Sequence, residues 1–183
     1  MKMIATTGMG GSGKGEVLKY LETRGLKSVV MRTVVENEMR ENGIEVNNKN
    51  LREYATELRK KNGMDIVAKM CLPLLKEMSK EKKTVLIDGI RSYEEVELFK
   101  REFGDDFVLI AVFASLKLRF ERLKKRGEEW DMKTVGELEW RDKKELSWGT
   151  GNSIALSDFI IDNSGTLKDL QKKVDEVLEK ITG

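Results

Sequence analysis

Short apolar runs alternate along the chain with longer stretches whose apolar residues recur every three to four positions. Met3-Ile4-Ala5-Thr6-Thr7, Ser28 to Met31, Thr84 to Asp88, Phe107 to Phe113 and Asp158 to Asp162 read as five short strands. Their near-continuous hydrophobicity suits strands covered on both faces. A helix is expected from about Lys14 to Thr23. Val96, Phe99 and Phe103 share one helix face, and Leu167, Leu170, Val174, Val177, Leu178 and Ile181 keep helical spacing to the end of the sequence. Strands alternating with helices predict βαβ units: a three-layer α/β fold with a five-stranded parallel sheet flanked by helices. Two stretches break the alternation. Residues at about 33–80 carry three helical segments and no strand, and about 127–157 is polar, charged and glycine-containing. Both read as insertions over the carboxyl edge of the sheet, where ligands of open α/β sheets bind.

Composition narrows the chemistry. The 183 residues suit one domain, read as 1–183. There is no histidine, which excludes His-metal sites and Ser-His or Cys-His dyads. A single cysteine, Cys71, excludes an internal disulfide and a multi-cysteine zinc site. Thirty-four basic against thirty-two acidic residues give +2, so charge offers no reason to expect a nucleic-acid or membrane-surface partner. No apolar run is long enough for a membrane span, and no signal peptide opens the chain, so a cytoplasmic location is expected.

The most informative segment is Gly8-Met9-Gly10-Gly11-Ser12-Gly13-Lys14-Gly15-Glu16, a G-x-x-x-x-G-K pattern after a strand and before a helix. Glycines let the backbone turn so that several N–H groups face phosphate oxygens. The helix N-terminus adds its positive end, and Lys14 supplies a cation for the β- and γ-phosphates. The usual Ser/Thr ligand of Mg²⁺ after the lysine is replaced by Gly15. Glu16 could take that role, directly or through water, or serve as a first-turn acid favoured by the helix dipole. Ser12 is a second candidate hydroxyl, read first as a phosphate contact.

Leu86-Ile87-Asp88-Gly89-Ile90-Arg91 places an acid at the end of a buried strand, where it can hold Mg²⁺ or its waters. Arg91 can grip a phosphate or carboxylate by its planar fork. Arg119, Arg122 and Arg126 recur at helical spacing, and Arg141 follows in the second insertion. Arginines brought in by a closing segment would stabilise a transferring phosphoryl group. The bland alternative is a solvated basic helix. Arg52, Arg59, Lys60, Lys61 and Lys69 are basic candidates in the first insertion. Trp130, Trp140 and Trp148 fall in the second, where they read first as a small local core and second as a wall for a base.

These segments resemble adenylate kinase and dephospho-coenzyme A kinase, and most of all the archaeal predicted nucleotide kinases related to both. GMGGSGKGE is similar to that group's loop, with Gly10 where proline is usual and Glu16 matching. IDGIRSYEEVELFK resembles its D-G-[IV]-R-S-x-x-E segment, which carries over Asp88, Arg91 and Glu95. LRKKNGMDIVAKMC points to Arg59 for the acceptor. SDFIIDNSGTLKDL resembles the ending of dephospho-coenzyme A kinases and would put Asn163 and Gly165 near the donor base. Arg122 and Arg141 occupy lid-arginine positions.

The resemblance implies transfer of the γ-phosphoryl of ATP, with Mg²⁺, to a nucleotide-like acceptor. Where dephospho-coenzyme A kinases carry an aspartate base, this sequence has Arg32-Thr33. Where adenylate kinases hold the monophosphate by arginine it has Glu36, with Arg40 one turn on. A phosphate acceptor is already ionised and needs no strong base, so the departure favours a nucleoside monophosphate. Dephospho-coenzyme A kinase, or a regulatory P-loop ATPase without a small acceptor, are the alternatives. The expected roles are Lys14, Asp88, Arg122, Arg126 and Arg141 in catalysis, Asp88 and Glu16 at the metal, and Arg59 and Arg91 at the acceptor.

Overall fold

A computed structural model describes residues 1–81, 83–128 and 131–182. The apolar runs form β1 (Met3–Thr7), β2 (Lys27–Val30), β3 (Val85–Asp88), β4 (Phe107–Phe113) and β5 (Phe159–Asp162). They build a wholly parallel sheet in the order β2-β3-β1-β4-β5. The expected fold class is therefore the observed one. β3 and β5 each begin one residue later than read, and β2 is displaced by one residue towards the N-terminus. Met31 opens a helix, and Asp158 instead caps the neighbouring strand: its carboxylate accepts from Leu109 N–H at 2.7 Å, while its own N–H donates to the Leu109 carbonyl at 2.9 Å.

Strand alternation sends successive residues to opposite faces. Met3, Ala5, Ile87 and Leu109 join one core with Met39, Leu75 and Phe99, beneath the helices α2 (Met31–Glu41), α4 (Ile66–Ser79) and α5 (Tyr93–Phe103). Ile4, Leu86, Ile110 and Val112 join a second core with Leu21 of α1 (Lys14–Thr23) and Val174 of α9 (Leu167–Thr182). The break after β2 is filled by α2, α3 (Asn48–Asn62) and α4, three helices without a strand. After β4 come α6 (Leu116–Arg126), α7 (Val135–Ser147) and a short α8 (Thr150–Ala155). Trp130 lies outside the described residues. Among the described residues, no helix is long and apolar enough to cross a membrane.

Parallel pairing brings the carboxyl ends of β1 and β3 side by side, with Thr6 opposite Asp88. The glycine-rich loop leaves β1 at that point. The strand order turns from one side to the other around β1, so the loop stands at the topological switch point where α/β folds bind ligands.

Candidate active site

The loop after β1 needs its glycines for measurable reasons. Gly8 has φ +145°, and a Cβ there would lie 2.4 Å from the Val112 carbonyl oxygen. Gly13, the N-cap of α1, has φ +103°, and a Cβ would lie 2.1 Å from Asn163 Nδ2. That amide donates to the Ser12 carbonyl at 2.8 Å, and Arg122 donates to the Asn163 carbonyl at 2.8 Å. Asn163 and Arg122 thus hold the loop through the Ser12 carbonyl. Among the described residues, nothing accepts from the N–H groups of Gly10, Gly11, Gly13, Lys14 and Gly15. Those donors and the first turn of α1 form a cradle ready for an anion. The Ser12 hydroxyl is buried and also lacks a partner among the described residues.

The Lys14 ammonium donates to the Gly8 carbonyl and, at 3.3 Å, to that of Met9. Burial lowers its pKa to about 8, aided by Arg91 and Arg141 and opposed by Glu145 and Asp88. Asp88 accepts from the Thr6 hydroxyl at 2.7 Å. Glu16 is exposed and pairs with Lys19 at 3.3 Å.

Two cavities open at this edge. One, of about 800 Å³, is lined by the glycine-rich loop, Glu16, Arg122, Asn163 and Gly165. The other, of about 330 Å³, lies over β2 and is lined by α2, α3 and the inner side of α7. Asp88, Arg91, Arg126 and Arg141 line both, so they form the wall where the cavities meet. Arg126 is held by Asp131. Glu145, almost fully buried, pairs with Arg91 at 3.1 Å and with Arg141 at 3.2 Å. Burial would raise its carboxyl, but Arg91, Arg141 and Lys14 outweigh burial and hold it below the usual carboxylate range.

Most residues singled out in the sequence thus converge on one edge; besides Arg122 and Asn163, expected at the transferring group and the donor base but instead bracing the loop, three are placed differently from a simple ligand. Arg59 lines the smaller cavity but is only 6% exposed; its guanidinium pairs at 3.1 Å with fully buried Glu95. Glu95 also accepts from the N–H groups of Arg91 and Ser92, closing the capping box of α5. Gly165 touches the start of α9, where a Cβ would meet Asp169. Arg119 turns inward to Asp142 and to the Gly10 carbonyl at 3.0 Å.

Sequence reasoning overlooked Asp142, Glu145 and Lys144. Their signal was available as two carboxylates on the same face as Leu138, a helix face with acids where an apolar stripe belongs. Trp140 and Trp148 do not make a private core: Trp140 is 62% exposed, and both line the smaller cavity.

A parallel sheet in this order, with a phosphate loop at its central strand, defines a P-loop kinase-like fold. The chain belongs to the UPF0200 family, and the AAA-domain family matches residues 4–145. A UPF0200 protein of Methanosarcina acetivorans is 42% identical over 97% of this chain and 94% of its own length. A UPF0200/UPF0201 protein of Archaeoglobus fulgidus is 43% identical over 99% of this chain, which spans only 56% of that relative. Among solved structures, TT1252 from Thermus thermophilus superposes with a TM-score of 0.68 at 21% identity, over 100% of this chain and 98% of that one. Dephospho-CoA kinase from Campylobacter jejuni does so at 0.59 and 15%, over 98% and 97%. At such identities these two show the fold alone.

Proposed function

We propose that the protein is a phosphotransferase that moves the γ-phosphoryl group of ATP to a nucleoside monophosphate. The observation that carries this reading is the shared wall. A cavity beneath unpaired loop amides meets a second cavity at one carboxylate and three arginines. Such a junction suits a phosphoryl group passing between two bound molecules, since that reaction needs positioning and charge stabilisation more than covalent chemistry.

In this reading the loop amides and Lys14 hold the donor phosphates, and Lys14 exchanges the Gly8 and Met9 carbonyls for phosphate oxygens. Arg122 and Asn163 fix the loop. Arg126 and Arg141 meet the charge that spreads over the transferring group, and Arg91 faces the acceptor side. Asp88 is a hard oxygen donor oriented by Thr6 at the same wall, a fit for Mg²⁺. Glu16, exposed on the first turn of α1, is the second oxygen donor on that side. When bound, Mg²⁺ would neutralise phosphate charge.

The carboxylates of the acceptor cavity favour a phosphate over a hydroxyl acceptor. Glu145 is held ionised by two arginines and makes a poor proton acceptor. Asp88 is engaged by Thr6. An acceptor oxygen that is already charged needs neither. The test is a screen of purified protein with Mg-ATP against AMP, CMP, GMP, UMP and dephospho-coenzyme A, reading ADP release. Turnover with a monophosphate is expected, and Lys14→Ala should abolish it with the fold intact. Full turnover by that variant would defeat the assignment.

One observation favours a second reading. The Archaeoglobus relative is almost twice the length of this chain. A nucleotide-dependent part of a larger protein, hydrolysing ATP with no small acceptor, would show slow ADP release that nothing in the panel accelerates.

A further inference from the structure

Pairing up the charges of the smaller cavity leaves Arg52 and Lys144 outside every salt bridge among the described residues. Arg32 pairs with Glu36, Arg59 with Glu95, Arg126 with Asp131, and Arg91 and Arg141 share Glu145. Among the described residues, Arg52 and Lys144 have no carboxylate partner, and both line this cavity alone. Arg52 is half-buried on α3, and its Nε donates only to the Asn48 carbonyl, one helical turn away, at 3.0 Å. Burial lowers its pKa, and the like charges of Arg141 and Arg32 lower it further, against Glu145. Partly desolvated positive charge is therefore concentrated next to the shared wall, with no carboxylate paired directly to Arg52 or Lys144 among the described residues. Such an arrangement is costly unless a ligand supplies the anion.

The neighbouring surface is aromatic. Lys144 lies 5.9 Å from the Trp140 ring centroid and 5.6 Å from that of Trp148, and Arg59 lies 5.3 Å from the Trp148 centroid. Met31, Val35 and Leu51 give the same cavity an apolar lining. A cavity lined by indoles, apolar side chains and cations outside any salt bridge suits a ligand that joins a flat ring to an anionic group.

Resting on the kinase reading above, we infer that Arg52 and Lys144, rather than Arg59, bind the acceptor's anionic group, and that Trp148 of α7 receives its aromatic ring. The acceptor class is thus a phosphate monoester carrying a planar base. Arg59 is a positioning residue: with its charge taken by Glu95, it braces Trp148 and ties α3 to α5. The acceptor site is then built by both insertions, with Arg52 and Arg59 from the first and Arg141, Lys144 and Trp148 from the second.

Calorimetric titration tests this with AMP, CMP, GMP and UMP, their parent nucleosides, and ribose 5-phosphate, on the full chain. For the monophosphate that the wild type binds best, Arg52→Ala should weaken affinity tenfold or more. The same variant should leave the nucleoside and Mg-ATP within twofold, and Arg52→Lys should recover part of the loss. Trp148→Leu should weaken the monophosphate and the nucleoside together, but not ribose 5-phosphate. Wild-type affinity in Arg52→Ala, with phosphoryl transfer to a monophosphate intact, would overturn this inference and leave the kinase reading standing. A wild type that binds Mg-ATP but neither binds nor phosphorylates any monophosphate would overturn both.

Discussion

In the proposed reaction donor binding turns on Lys14, and its surroundings give that residue an unusual titration. Burial, with Arg91 and Arg141 nearby, brings the ammonium to about 8, so it begins to lose its proton just above neutrality. The neutral amine cannot bind a polyphosphate by charge, and a bound polyphosphate restores the proton. Affinity for Mg-ATP should therefore fall as pH rises through about 8, and binding at pH 8.5 should take up protons from buffer. Calorimetry in two buffers of different ionisation enthalpy measures that uptake. Binding with no proton exchange at pH 8.5 would show that Lys14 is fully charged beforehand. Arg59 illustrates the opposite case. Nothing in LRKKNG distinguishes a solvated arginine from one folded onto a buried glutamate thirty-six positions away, because the partner is supplied by tertiary packing.

At the scale of elements, α7 is the one whose placement defines the site. It presents Leu138, Asp142 and Glu145 inward, so two of its three buried contacts are ionic. Asp142 accepts a bidentate pair from Arg119 of α6, whose guanidinium also reaches the Gly10 carbonyl. Arg141, one residue before Asp142, lies over Gly10, with its Cζ 3.3 Å from where a Cβ would stand. The helix is thus strapped to the phosphate loop itself. Breaking a buried pair leaves the surviving charge uncompensated, so Asp142→Ala should cost about 3–5 kcal/mol. It should also speed hydrogen exchange in α7 more than in β1 or β4. Arg119→Ala should act similarly, and the double variant should lose much less than the sum of the two. Strict additivity in that cycle would mean the pair does not couple α7 to the loop.

Across the whole molecule, the parts that were legible in the sequence are those governed by local pattern. Five apolar runs gave five strands within a residue at either end, because strands covered on both faces must be apolar throughout. The loop was legible because its spacing and glycines are dictated by backbone geometry. Asp142, Glu145 and the cavity-facing tryptophans were not, since their roles depend on which helix face turns toward β1. The sheet separates these demands physically. One core carries α2 and α4, the other carries α1 and α9, and the charged residues of the candidate site lie at the sheet's edge outside both. Stability and ligand binding should therefore be separable by mutation. Phe99 is fully buried, with aromatic neighbours Phe103 and Phe107, so Phe99→Ala should destabilise by about 3–5 kcal/mol. It should retain the rise in melting temperature given by Mg-ATP, a linkage worth about 2.7 kcal/mol at one hundred times Kd. Lys14→Ala should do the reverse, melting near the wild type but losing most of that rise. Differential scanning fluorimetry with and without Mg-ATP reads both. If Lys14→Ala keeps the full ligand-induced shift, the cation after the glycines does not hold the donor, and the site has been placed at the wrong end of β1.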